Sequence, residues 1–424
     1  MLKLFTLVAL TAVSTTSIAA QAPEPATRGA AVEQTGKPTT GAAEQAPRAT
    51  TREGEIEQEQ AAKAKTLHPY VANKAEAIFQ RVDTILEGGT LRWHPFLDSA
   101  YRGGGFTLGV GHASYVSPYN YIDARGSYTV KDYKRAEVEF VAPRMFNRRA
   151  RLSLLGGWRE ATQVGFYGFG MDTSKDDRTN YRFQQPYGSA LFTLFPARRV
   201  LMLRGGAELS QWEQKSGQGS FPSVEENYTP ATLPGLGAKI TYLHTQGTLG
   251  LDSRTSPDYT RRGVFLGATL HDYNDRDKDF GFQMTEYEGI AHLPILRETW
   301  VLSFRGRVQT ASEKDGQQIP FFMMPSVGGG SSLRGFSSWR FRDRNSLLLQ
   351  GEWRIMVNRY LDLAFFYEAG KVTSRTSDLD FDGLKDDVGF GFRFHGPFAT
   401  PLRIELARSR ESSLSFIFST GASF

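Results

Sequence analysis

The segment DDVGFGFRF, Asp386 to Phe394, alternates without a break. Successive side chains of an extended strand point to opposite faces, so Val388, Phe390, Phe392 and Phe394 oppose Asp387, Gly389, Gly391 and Arg393. The same period runs through PLRIELA, where Leu402, Ile404 and Leu406 oppose Arg403 and Glu405. It returns in SSLSFIFSTGASF, with Leu414, Phe416, Phe418, Ala422 and Phe424 against Ser413, Ser415, Ser419 and Ser423. A water-soluble sandwich also alternates. Here, however, the polar face carries full charges and the other face is bulky and apolar, which suits lipid outside and a wet lumen inside.

Working backward from these segments, sixteen such runs can be counted. They lie near 104–116, 119–131, 133–144, 149–160, 162–171, 184–196, 198–211, 238–252, 261–273, 279–293, 297–311, 344–356, 360–373, 386–396, 399–409 and 413–424. The spacing is roughly 20 residues per strand and turn, ample for the 9–11 residues that cross a bilayer. The 43 glycines and 12% aromatic residues fit the same picture. The expected fold is all-β: a transmembrane antiparallel β-barrel of about 16 strands over residues 91–424, with both termini on the periplasmic side because the count is even.

The front of the chain differs in kind. Residues 1–20 carry Lys3, an apolar core from Leu4 to Val13 and small residues at Ser17, Ala19 and Ala20, the pattern of a secretory signal peptide. Residues 21–66 are rich in Ala, Thr, Gln, Pro and charge and read as a disordered periplasmic linker. Over 67–90, Val71, Ala75, Ile78, Val82, Ile85 and Leu86 keep a helical spacing, with Pro69 suited to the first turn and Gly88 to the cap. This predicts an amphipathic periplasmic helix. Zero cysteines exclude disulfides and thiolate chemistry, and the net charge of +5 is spread along the chain, so no nucleic acid is expected as a partner.

One loop stands out. Residues 311–343 contain GGGSSLRGFSSW, Gly328 to Trp339, which lacks the Lys-Ser/Thr pair of a phosphate-binding loop. In the strands that follow, Gln350, Glu352 and Arg354, then Asp362 and Glu368, fall on the inward register. Arg334, carried on the loop, is expected to fold into the lumen and pair with Glu352 and Glu368, because a guanidinium fork suits carboxylates.

At these residues the chain resembles a family. Arg334-Gly335-Phe336 is similar to the arginine-glycine-aromatic loop element of the BamA/TamA-type outer-membrane assembly proteins, the bacterial surface antigen family. LDSRTSPDYTRRG (Leu251 to Gly263), IPFFMMPSVGGG, EWRI, FFYEAGKV and VGFGFRFHGPFATPLRIELA extend the resemblance over roughly 240–424. The resemblance implies that the loop arginine pairs with acids of the two following strands, Glu352 and Glu368, the second being more often aspartate in the family. Family members usually carry POTRA domains, whose strand-helix-helix-strand pattern is missing from residues 21–100.

The resemblance also implies an outer-membrane location in a Gram-negative-type bacterium and an insertase- or translocase-like task for proteins or lipids. That task would run through a seam between first and last strands. Gly103, Gly104, Gly105, Gly109 and Gly111 in the opening strand fit a loose seam, because glycine weakens strand pairing, or equally a tight curvature. The expected partners are outer-membrane lipids and client outer-membrane proteins or a separate periplasmic polypeptide. The alternative is a passive pore or structural barrel without assembly activity. No enzyme is expected: His271 and Asp272 are adjacent and so face opposite ways. DLDFDG lacks a glutamate at the twelfth position and DRDKDF lacks the turn glycine, so neither completes a calcium loop, and no cofactor or metal is expected.

Overall fold

A computed structural model describes residues 92–424 except 197–199, 257, 397–399 and 413, together with Arg52, Ile56, Glu59, Gln60, Ala62 and Lys63, which are helical. Apart from those six positions, the signal peptide, linker and amphipathic helix expected over 1–90 lie outside the described residues.

The strands are β1 (Trp93–Pro95), β2 (Thr107–Tyr115), β3 (Tyr121–Thr129), β4 (Lys134–Arg144), β5 (Ala150–Phe166) and β6 (Thr179–Leu194). They continue with β7 (Leu201–Ser216), β8 (Lys239–Asp252), β9 (Gly263–Asp275), β10 (Phe282–Leu296), β11 (Trp300–Glu313), β12 (Ser326–Val327) and β13 (Phe341–Arg342). The last are β14 (Asn345–Asn358), β15 (Leu361–Thr373), β16 (Lys385–Phe394), β17 (Leu402–Ser409) and β18 (Ser415–Ser419). Sixteen of them form one antiparallel sheet in chain order, with β12 and β13 set aside as a small hairpin of their own. Among the described residues no helix is long and apolar enough to cross a membrane.

The total of sixteen is reached differently from the sequence expectation. The runs near 149–160 and 162–171 are a single strand, β5. A register shift between Ala161 and Val164 changes which face each later residue takes, and that phase break mimics a strand boundary. The remaining strand is β1, only three residues long and containing a proline, which left no alternation to detect.

The alternation sorts the side chains as lipid and lumen require. Leu249, Leu266, Phe304, Phe365, Tyr367, Phe390 and Phe392 are exposed on the outer face, while Glu352, Glu368, Arg393 and Glu405 are buried on the inner one. Turns at one end are short, such as 297–299 and 359–360; those at the other are long, such as 217–238 and 314–344. The 314–344 loop folds inward. Its Phe321, Phe322, Met323, Met324 and Trp339 join Phe166, Tyr181, Phe183, Trp212, Tyr242 and Tyr273 in one aromatic core inside the sheet.

The sheet curls until its edges meet, yet among the described residues no backbone ladder joins β18 to β1 or β2. The edges touch through side chains instead: Phe106 packs on Phe418 at 5.6 Å, and Thr420 Oγ1 donates to Asp98 Oδ1 at 3.3 Å. The chain end also departs from expectation. β18 stops at Ser419, Gly421 takes a φ of +78°, and Phe424 leaves the lipid-facing line to pack against Met202, Phe265 and Ile290. With no partner strand to hold 420–424 extended, a left-handed glycine is enough to turn the tail inward.

Candidate functional site

The loop between β11 and β14 is ordered by its own hydrogen bonds. Gly328 and Gly329 take φ values of +117° and +98°, open to glycine alone at little strain, and Gly329 N–H donates to Leu333 O at 3.0 Å. Ser332 Oγ accepts from Gly328 N at 2.8 Å, closing a tight turn whose next residue is Arg334. The glycine run therefore shapes the approach, and the ordered tetrapeptide after it is what the turn presents.

Arg334 is held through its backbone, its Nε, its Nη1 and the face of its guanidinium. Its backbone N–H donates to Glu368 Oε2 at 2.7 Å and its Nε to Glu368 Oε1 at 2.9 Å. Its Nη1 donates to Glu405 Oε1 at 2.6 Å and more weakly to Glu352 Oε2 at 3.5 Å. The face of the guanidinium lies 3.5 Å from the centre of the Phe366 ring. Gly335 N donates to Asp387 Oδ2 at 3.0 Å, and Ser409 Oγ donates to Gly335 O at 2.9 Å. A methyl group on Gly335 would stand 2.7 Å from Asp387 Cβ and 3.0 Å from Arg408 C, so only glycine fits. Phe336 is buried with Val327, Leu333, Phe341, Leu348 and Val372.

The acids have arginines of their own. Arg393 bonds both Glu352 and, at 2.7 Å, Glu405; Arg403 Nη1 reaches Glu405 Oε2 at 3.2 Å; Arg354 Nε stands 3.8 Å from Glu352. Four guanidiniums thus formally face four carboxylates, counting Asp387. Arg334 and its three glutamate partners have side chains no more than 1% exposed, so water screens the pairs little. Sequence reasoning named Glu352 and Glu368. It missed Glu405, although the inward registers of PLRIELA and DDVGFGFRF had already put that carboxylate and Arg393 on the lumen face.

Two further ties anchor the interior. The turn between β8 and β9, part of LDSRTSPDYTRRG, folds in so that Tyr259 OH donates to Asp362 Oδ2 at 2.9 Å and stacks on His395 at 4.0 Å. Arg261 Nη2 reaches Asp362 Oδ1 at 3.1 Å, and Arg354 donates to Thr260 O. At the opposite end, Trp339 stacks on Tyr101 at 4.4 Å, receives the Arg102 guanidinium on its ring at 3.8 Å and donates its Nε1 to Arg102 O at 2.9 Å. Trp339 does this at a φ of +65°, a strained backbone for a bulky residue. The loop that carries Arg334 is thereby clamped to the turn joining the first two strands.

The glycines proposed for the seam fall in two places. Gly103, Gly104 and Gly105 lie in the turn between β1 and β2, and Gly109 and Gly111 within β2. The latter two are covered by β1: Phe96 N donates to Gly109 O at 3.0 Å, and His94 pairs with Gly111. They stand one strand in from the edge. His271 and Asp272 point apart as the strand period requires: His271 is buried, and Asp272 pairs with Lys314 at 2.5 Å. Asp275 accepts the backbone N–H groups of Asp277, Asp279 and Phe280, and Asp380 pairs with Lys371 at 2.6 Å.

Comparison with known proteins gives this geometry a context. Among solved structures the chain is similar to BamA from Haemophilus ducreyi lacking POTRA domains 1–3, with a TM-score of 0.55 and 12% identity over 78% of this chain and 68% of that one. It is similar as well to CdiB from Escherichia coli, with a TM-score of 0.53 and 11% identity over 78% of this chain and 62% of that one. At such identities the likeness is one of fold. No curated protein matches the chain. Residues 120–424 match the Omp85 superfamily domain, which takes in every member of the Arg334 network, and the chain accordingly belongs to the Omp85 superfamily.

Proposed function

We propose that this chain is an outer-membrane insertase- or translocase-like barrel whose working surface is the seam between β1–β2 and β18, with both termini periplasmic. The observation that carries the reading is the meeting of the sheet edges through Phe106–Phe418 and Asp98–Thr420 with no strand ladder between them among the described residues. Unpaired backbone at an edge is a template for another strand. A client outer-membrane protein supplies such a strand, and bilayer lipid is the other substance that reaches the same gap. The Arg334 network supports this reading by fixing β14 to β17 as a rigid wall, so that opening is confined to the edges.

The alternative is a passive pore. The aromatic core and the buried loop fill the interior, which argues against a standing conduit.

The test uses the absence of native cysteine. A Phe106→Cys/Phe418→Cys pair joined by a short bis-maleimide ties the seam shut in the full chain, reconstituted in vesicles. Loss of client-barrel folding or of lipid scrambling on cross-linking, with each single-cysteine protein active, is the expected result. Undiminished activity in the cross-linked protein, or steady solute conductance as its only activity, would refute the reading.

A further inference from the structure

His271, set aside above as a catalytic residue, has another use. It faces the lumen from β9, and His244 faces the lumen from β8; both rings are buried. Neither ring nitrogen of either residue has a hydrogen-bond partner. The other described histidines differ: His94, His112, His292 and His395 each bond at least once. A neutral imidazole carries one donor and one acceptor, and buried polar groups are normally satisfied, so two fully orphaned rings side by side require an explanation.

Register brings them together. His244 is opposite Tyr273, and His271 is opposite Gln246, so the histidines are diagonal neighbours on one face. Their ring centroids are 6.0 Å apart and the planes differ by 23°. Two imidazoles that share one ion through bonds of about 2.0 Å have centroids no more than about 6.5 Å apart. Directly opposite His271 on the next strand is Met284, also buried, whose side chain is long and flexible enough to span the distance between cross-strand neighbours.

We propose that His244, His271 and Met284 form a lumenal site for a soft monovalent cation, Cu(I) in chemical class. The donor set selects the ion. Among the described residues no group of three His, Cys, Asp or Glu side chains stands together, so zinc lacks its usual tetrahedral set and a hard cation lacks oxygens. Glu208, opposite His244 on β7, is engaged by Gln185 Nε2 at 3.3 Å. Imidazole with thioether favours copper in its lower oxidation state. The four nitrogens offer water no accessible surface, and Cu(I) is stable with two or three protein ligands and no bound water. Occupied, the ion would cross-link β8, β9 and β10, which β11 alone separates from the strands of the Arg334 network.

The experiment titrates the folded full chain in detergent with Cu(I), anaerobically, against a chromophoric chelator. One equivalent bound is expected, with sulfur and nitrogen scatterers both visible in the X-ray absorption spectrum of the wild-type protein. Met284→Leu should weaken binding roughly tenfold and remove the sulfur signal, and H244A/H271A should abolish binding while heat-modifiable migration stays normal. Substoichiometric binding by the wild-type chain, or a spectrum without sulfur, overturns the proposal whether or not the variants fold.

Discussion

Arg334 and Glu405 are 71 residues apart in sequence and 2.6 Å apart in space. Glu405 also receives Arg393 and Arg403, so three guanidiniums converge on it, each within 3.2 Å. Arg334→Ala is expected to lower stability by about 3–5 kcal/mol, because it leaves a buried carboxylate cluster short of one cation. Urea unfolding of the folded barrel in detergent measures it. In a double-mutant cycle with Glu405→Ala, the two losses should fall well short of additive; simple additivity would mean that the pair is not coupled.

Arg334→Lys keeps the charge and loses the fork. A single ammonium cannot bond Glu368 and Glu405 from separate nitrogens while lying flat on Phe366, so this variant should recover only part of the lost stability. Unfolding midpoints of the lysine and alanine variants, compared directly, decide the matter; a lysine variant equal to wild type would show that charge alone suffices.

Gly335→Ala inserts a methyl group where Asp387, Arg408 and Ser409 already stand. Overpacking of this kind costs about 1–3 kcal/mol, and the least resistant element is the loop. Limited proteolysis should therefore cut the variant between Gly328 and Trp339 while the wild-type loop stays protected. Equal protection in both proteins would contradict the packing argument.

Trp339 tests the clamp on the first hairpin. Trp339→Ala removes the stack on Tyr101 and the seat for Arg102 yet keeps the left-handed backbone, whereas Trp339→Gly also relieves the strain. Both should speed amide exchange in residues 100–106, and glycine should be the less destabilised of the two, because it takes the left-handed region without steric cost. Unchanged exchange in that turn would separate the loop from the seam.

Tyr259→Phe removes the hydroxyl that bonds the buried Asp362 carboxylate and also meets His395 Nε2 and Arg261 Nη2. Asp362 keeps Arg261 at 3.1 Å and His395 at 3.2 Å, so the expected loss is about 1.5–3 kcal/mol without unfolding of the barrel. Calorimetry of the two proteins measures it, and a midpoint identical to wild type would show that the turn between β8 and β9 does not depend on that hydroxyl.

Much of this architecture is legible in the sequence. Period-two alternation identified the lipid and lumen faces of β14 to β17, because their pairings run unbroken apart from one shift near the end of β14, between Met356 and Asn358. β5 was misread for the opposite reason: its register shifts midway, and a period cannot be followed across a bulge. The inward positions of Glu352, Glu368, Arg393 and Glu405 were all readable. Which of them Arg334 would choose was not.

The sequence by itself determined the inward and outward positions of β14 to β17 and a loop able to bend where Gly328 and Gly329 stand. Those properties follow from local sterics and the strand period, which act over a few residues. Only the tertiary structure decided that Glu405 rather than Glu352 takes the short bond, that Phe424 turns inward, and that His244 meets His271. Such pairings depend on the curl of the whole sheet and on cross-strand register, and neither is a property of any single segment.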